Sequence, residues 1–290
     1  LSIFIFFFFH KDDENKSYSF FWLSKETSIL INNWFMMYFL SVVLIGTVYP
    51  IFLDVISSQK ISVGPPFYHK LIIPFLVPFL LMMAIGPKLR WIKSHLEDKI
   101  YLISFFIISI LLAYYVLENF NKNILTNTIL ISSALYLFFI TIRDFFIKKY
   151  KNISQNIAHF GFSLLILSIL LNNLFSDEII TNLKVGETFE NSKTKIVFES
   201  IDQKNEKNYS AIIANFSIRS SNGEEDSLSP ELRIYNQPTI ATSEADIRTN
   251  LLTDKFIVIN LVQNQDYFNV RYQVKPFMLW IWLSVILISF

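Results

Sequence analysis

Residues 157–175 read IAHFGFSLLILSILLNNLF. This run is apolar and long enough to cross the hydrocarbon core of a bilayer as a helix. His159 stands inside it, a few residues from its start. An ionisable residue in a membrane span marks a functional site, because ring nitrogens left unpaired in hydrocarbon cost several kcal/mol. Neutral imidazole is also the common protein ligand of haem iron. The alternative is a histidine bonded to a neighbouring helix or to interfacial water.

The rest of the chain has the same character. Its 290 residues are 52% hydrophobic and include 30 phenylalanines, and the mean hydropathy is +0.41. Soluble domains do not combine such values with several apolar runs of about 20 residues. Four further spans are predicted at 30–53, 71–85, 100–117 and 124–142. The span at 71–85 carries Pro74 and Pro78, a kink that is stable only where neighbours satisfy the freed carbonyls. It stops at Gly86-Pro87. The opening LSIFIFFFF (1–9) reads as the tail of a helix and lacks the flanks of a signal peptide. Residues 277–290 read as the start of another helix. Both ends are expected to be cut from a longer membrane protein.

Lysine and arginine mark the sides of the membrane. Lys11, Lys16 and Lys25 precede the first span. Lys88, Arg90, Lys93 and Lys99 follow the second, and Arg143, Lys148, Lys149 and Lys151 follow the fourth. The alternate connections hold only Lys60 and Lys70, then Lys122. The positive-inside rule places the richer set in the cytoplasm and His159 near the cytoplasmic end of its helix.

After Phe175 the chain turns polar. Ile212, Ala214, Phe216 and Ile218 alternate, as do FIVINL (256–261) and NVRYQV (269–274), and Ser221-Asn222-Gly223 is a turn signal. The expected architecture is a polytopic α-helical membrane protein with a small extracytoplasmic β domain inserted before the last helix. It divides into a helical bundle at 1–175, a β-rich domain at 176–276 and the beginning of a helix at 277–290.

Other chemistry is sparse. With no cysteine there is no disulfide framework, no redox pair and no thiolate metal site. No phosphate-binding glycine motif occurs, and a net charge of +1 gives no reason to expect nucleic acid. His10 and His95 fall in charged loops and read as solvated. His69 lies in a connection at the outer mouth, where an external ligand could meet it. Glu224, Glu225 and Asp226 read as the solvated tip of a turn.

Several segments together resemble a known family. They are LSKETSILINN (23–33), LIGTVYPIFLD (44–54), KISVGPPFYHKLIIPFLVP (60–78), IGPKLRW (85–91), IAHFGFSLLILSI (157–169), LKVGET (183–188) and VKPFMLWIWL (274–283). In this order they are similar to the C-terminal part of the CcmF-type cytochrome c haem lyases. The resemblance implies cytochrome c maturation: haem handling and covalent haem attachment to apocytochrome c within a membrane haem lyase complex. It implies a transmembrane b-type haem held between two histidines, with His159 matching the second. The haem b would act reductively, keeping the substrate haem ferrous. Implied partners are apocytochrome c, a periplasmic haem chaperone, other cytochrome c maturation membrane proteins and the lipid bilayer. The implied location is the bacterial inner membrane, with the mitochondrial inner membrane as the alternative. The family's tryptophan-rich haem segment, its external haem-ligating histidines and its first transmembrane ligand have no match, so this stretch alone is not expected to be an active lyase. No catalytic acid or base is expected in it. Two other readings stay open: a haem or small-molecule transporter subunit, and a non-haem scaffold for cytochrome assembly.

Overall fold

A computed structural model describes residues 24–57, 61–92, 99–118, 124–147, 152–221, 223–262 and 266–289. The segment 1–9, His10 and His95 lie outside them. The chain forms two compact units, residues 1–151 and 152–290.

Among the described residues of the first unit, four helices are long and apolar enough to cross a membrane: α1 (Lys25–Ser57), α2 (Pro65–Ile85), α3 (Lys99–Leu117) and α4 (Ile124–Phe146). Each begins or ends beyond its apolar run, because backbone hydrogen bonding continues into polar flanks. α4 is the element against which α2 and α3 pack, and α1 packs on α2. Small residues allow close approach, as is usual where no hydrophobic drive separates helix from lipid. Ser109, Ala113, Ser133 and Ala134 are buried. Gly46 of α1 faces Tyr68 of α2 so closely that a Cβ there would come within 2.6 Å of the phenol oxygen. Pro74 and Pro78 lie inside α2, and Tyr38 of α1 donates to the Leu71 carbonyl at 2.9 Å in the turn that precedes Pro74. α2 stops where Gly86-Pro87 was expected to stop it and passes through a 3-10 turn, Gly86–Lys88.

The described residues of the second unit form α5 (Ile153–Phe175), then ten strands, then α6 (Met278–Ser289). The strands form a two-sheet sandwich. One sheet has the order β1 (Asp177–Leu183), β10 (Phe268–Pro276), β9 (Thr253–Leu261), β8 (Asp246–Thr249). The other runs β2 (Thr188–Glu190), β3 (Thr194–Asn205), β4 (Tyr209–Ser220), β6 (Glu231–Asn236), β7 (Thr239–Glu244), with β5 (Glu225–Leu228) also on β4. All pairings are antiparallel. The inward residues interlock as one core. Phe198 and Phe216 stack at 4.4 Å, with Phe268 edge-on to Phe198 at 5.6 Å, and Ile196, Ile257, Ile259 and Val270 are fully buried around them. The expected alternation is present in β9 and β10. It is present in β4 as well: Ala214, Phe216 and Ile218 belong to the core and Ile212 packs against it. Gly186 turns the LKVGET segment at φ +84, a conformation that suits glycine. The Gly186 amide donates to the Phe198 carbonyl at 2.7 Å.

Candidate functional site

His159 occupies the second turn of α5 and is half-buried. The geometry around it follows from helical periodicity. At 100° per residue, Gly161 points about 200° away from His159. That opposite face carries α6. A Cβ on Gly161 would meet the Ile288 backbone nitrogen at 3.1 Å and the Leu287 Cβ at 3.1 Å. At the other end of the same face the Asn172 amide donates to the Pro276 carbonyl at 2.5 Å. Ser168 of α5 and Ser284 of α6 are buried between these points. α6 therefore runs antiparallel behind α5 and leaves the His159 face turned away from it.

On the histidine's own face the following turns bring Ser163, Ile166 and Leu170, none of them exposed. Ser163 returns its hydroxyl proton to the Phe160 carbonyl at 2.8 Å, so it adds no outward polarity. An imidazole at the head of an apolar stripe meets the two needs of a haem, a nitrogen donor for iron and hydrocarbon for the porphyrin plane. Among the described residues no group of three or more His, Cys, Asp or Glu side chains comes together. His159 offers a single imidazole donor on α5, the chemistry of one axial ligand position. His69 stands exposed in the first turns of α2.

One buried polar site escaped the sequence reading. Lys88, counted above as a loop charge, is buried and bonds Asp144 of α4 at 2.5 Å, with the two side chains 3% and 6% exposed. Arg143, placed above in a loop, is in the last turn of α4, and its guanidinium lies 3.4 Å over the Tyr101 ring of α3. Asp144 is a carboxylate at the end of an otherwise apolar helix, and only the fold shows that Lys88 faces it. The IGPKLRW segment around Lys88 is held from the other side by the start of α1. The Lys25 amide donates to the Arg90 carbonyl at 3.0 Å, and Lys25 lies 5.4 Å over Trp91. The Ile92 amide donates to both carboxylate oxygens of Glu26, at 2.9 and 3.1 Å. This bifurcated hydrogen bond meets Ile92 at φ +68, a costly conformation for a β-branched residue. A Cβ at Gly86 would collide with the Ser28 hydroxyl.

The acidic group at 224–226 is also different from the solvated tip expected. Glu224 and Glu225 are exposed, but Asp226 is buried in β5. It bonds Lys255 at 2.7 Å and Arg248 at 2.8 Å, and Lys255 also reaches Glu224 at 2.9 Å. Burial alone would lower the Lys255 pKa, but the bonds to Asp226 and Glu224 outweigh it and raise the pKa. This is a neutralised cross-sheet network with no free acid or base. At the base of the sandwich Gln273 and Arg271 both donate to Glu178 and hold its carboxyl below its ordinary value. Burial pushes the Tyr272 phenol up to about 12, so it stays protonated.

Among the described residues, five helices long and apolar enough to span and a β-sandwich followed by a further apolar helix define a polytopic membrane protein with a sandwich domain. Residues 174–276 match the family model described as the CcmF C-terminal beta-sandwich. The chain is 27% identical over 284 residues to the cytochrome c-type biogenesis protein CcmF of Pseudomonas fluorescens, covering 92% of this chain and 43% of that protein. It is 25% identical over 277 residues to the CcmF of Haemophilus influenzae, covering 90% and 43%. A solved structure of a cytochrome c haem lyase CcmF superposes on 93% of this chain and 45% of its own, with a TM-score of 0.70 and 21% identity, which shows a common fold. The chain is thus similar, along nearly all of its length, to the C-terminal part of the CcmF-type cytochrome c biogenesis proteins. It spans about 43% of the length of those relatives.

Proposed function

We propose that this chain works in cytochrome c maturation as the C-terminal part of a CcmF-type membrane haem lyase, with His159 as one axial ligand of a b-type haem. The observation that carries the reading is His159 itself, an imidazole at the head of an apolar stripe on the face of α5 turned away from α6. The chain's own contribution is positional. α6 backs α5 from Gly161 to Asn172 and fixes the rotation of the helix, and that rotation aims the imidazole. The apolar residues that follow His159 keep water from the ligand face. A bound b haem supplies one-electron chemistry that keeps the substrate haem ferrous.

The substrate is apocytochrome c, and the haem comes from a periplasmic haem chaperone. Other cytochrome c maturation membrane proteins complete the assembly. The β domain lies outside the cytoplasm, and the membrane is the bacterial inner membrane, in keeping with the bacterial sources of the relatives.

The test is His159→Ala in the purified membrane protein. Loss or strong weakening of the reduced b-type absorbance is expected, because one axial bond is gone. An unchanged reduced spectrum overturns the assignment and favours a scaffold without haem.

A further inference from the structure

The turn joining β8 to β9 carries two leucines where turns ordinarily carry polar residues. Leu251 and Leu252 are 71% and 62% exposed. Nothing in the sandwich core uses them, since the core side chains of these strands lie further along β9. Their backbone is nevertheless firmly held. The Leu252 carbonyl accepts from the Phe277 amide at 2.7 Å, and the Leu251 carbonyl accepts from the Trp280 indole at 2.9 Å. Asn250 Oδ1 accepts from the amides of Leu252 and Thr253 at 2.9 and 2.7 Å. The tip therefore presents side chains that avoid water on a backbone whose polar groups are largely satisfied. That combination is what entry into a lipid layer demands.

Strand register gives the level of the tip. Asp177, which follows α5, pairs with Val274, and Pro276, which precedes α6, pairs with Thr253. The end of α5, the start of α6 and the 250–253 turn thus lie at one height. α5 is a candidate span and α6 runs antiparallel beside it, so that height is where the chain enters the membrane. Trp280 and the exposed Trp282 sit in the first turns of α6, the belt where amphipathic rings favour the bilayer interface.

We propose that the 250–253 turn is a membrane anchor whose Leu251 and Leu252 enter the headgroup–acyl boundary of the bilayer that α5 and α6 enter. The sandwich then has a third attachment beside its two helices, which fixes its tilt over the membrane. The occupant of this surface is lipid. The proposal needs only that α5 and α6 enter a bilayer and is independent of the haem assignment.

The native chain has no cysteine, so single labels are unambiguous. Leu251→Cys, Leu252→Cys and Leu261→Cys are labelled with an environment-sensitive nitrobenzoxadiazole dye. Each full chain is reconstituted alone into phosphatidylcholine–phosphatidylglycerol vesicles. Leu261 is the control: it is exposed and lies at the other end of β9, roughly 26 Å from Thr253 at the rise of a strand. Doxyl-labelled lipid is expected to quench the dye at 251 and 252 several-fold more than at 261. Iodide on both sides of the membrane is expected to show the reverse order. Quenching of 251 and 252 by iodide as efficient as at 261 overturns the proposal. Protection of 251 and 252 from both quenchers also overturns it, since the tip would then be covered by protein. All three side chains are exposed, so the substitutions remove no core packing, and a retained β-rich circular dichroism spectrum checks this.

Discussion

Two residues show how differently a side chain's meaning can be read from its neighbours in sequence. His159 stands out in the sequence at once, because a histidine in an apolar run is rare. Lys88 is not, because a lysine after Gly-Pro looks like any loop cation until the fold sets it against Asp144. A buried ion pair is weak support for stability as a pair, but removing one partner strands the other charge. Asp144→Ala should therefore destabilise the first unit by about 3–5 kcal/mol. The double variant Lys88→Met with Asp144→Leu should recover most of that loss, since two apolar side chains replace two desolvated charges. Thermal unfolding of the detergent-solubilised protein measures both. An Asp144→Ala protein as stable as the parent would show that the pair is solvated in the membrane protein.

Among the elements, α5 and α6 depend on one position. Gly161 lets the α6 backbone come within ordinary contact distance. Even a methyl group there would force Leu287 and Ile288 to give by tenths of an ångström. Gly161→Leu is expected to push α6 off α5, to lower the unfolding midpoint, and to alter the b-type spectrum without touching the ligand. Gly161→Ala should show the same effects more weakly. If Gly161→Leu leaves both midpoint and spectrum unchanged, α6 does not set the rotation of α5. The motifs at the element ends now have physical content. IGPKLRW is a clasp between the start of α1 and the end of α4. KPF in 274–283 marks the corner where β10 becomes α6, with Phe277 at φ +62 and its amide bonded to the β8–β9 turn.

For the whole molecule the open question is sidedness, and the lysine and arginine asymmetry answers it as a prediction. Reporters fused after Lys93 and after Lys149 should read cytoplasm, and a reporter within 200–230 should read the opposite side. The burial of Lys88 weakens one charge in the first of these segments but leaves Arg90, Lys93 and Lys99 in place. Finding Lys149 and the sandwich on one side would mean that α5, which lies between them, does not cross the membrane, and would overturn the layout.

The sequence by itself determined the spans, the break at Gly86-Pro87, the β character after Phe175, the singular histidine and the family resemblance. These are local signals: length, apolar run, alternation and breaker residues act over a few turns, so they can be read without knowing what lies across the fold. Only the tertiary structure decided that the β strands divide between two sheets around Phe198 and Phe216, because alternation shows which face is inward and not which strand is opposite. It alone brought Lys88 to Asp144, α6 to Gly161 and the Leu251–Leu252 turn to the level of helix entry. Each of these depends on contacts between residues far apart in the chain, and no local pattern encodes the partner.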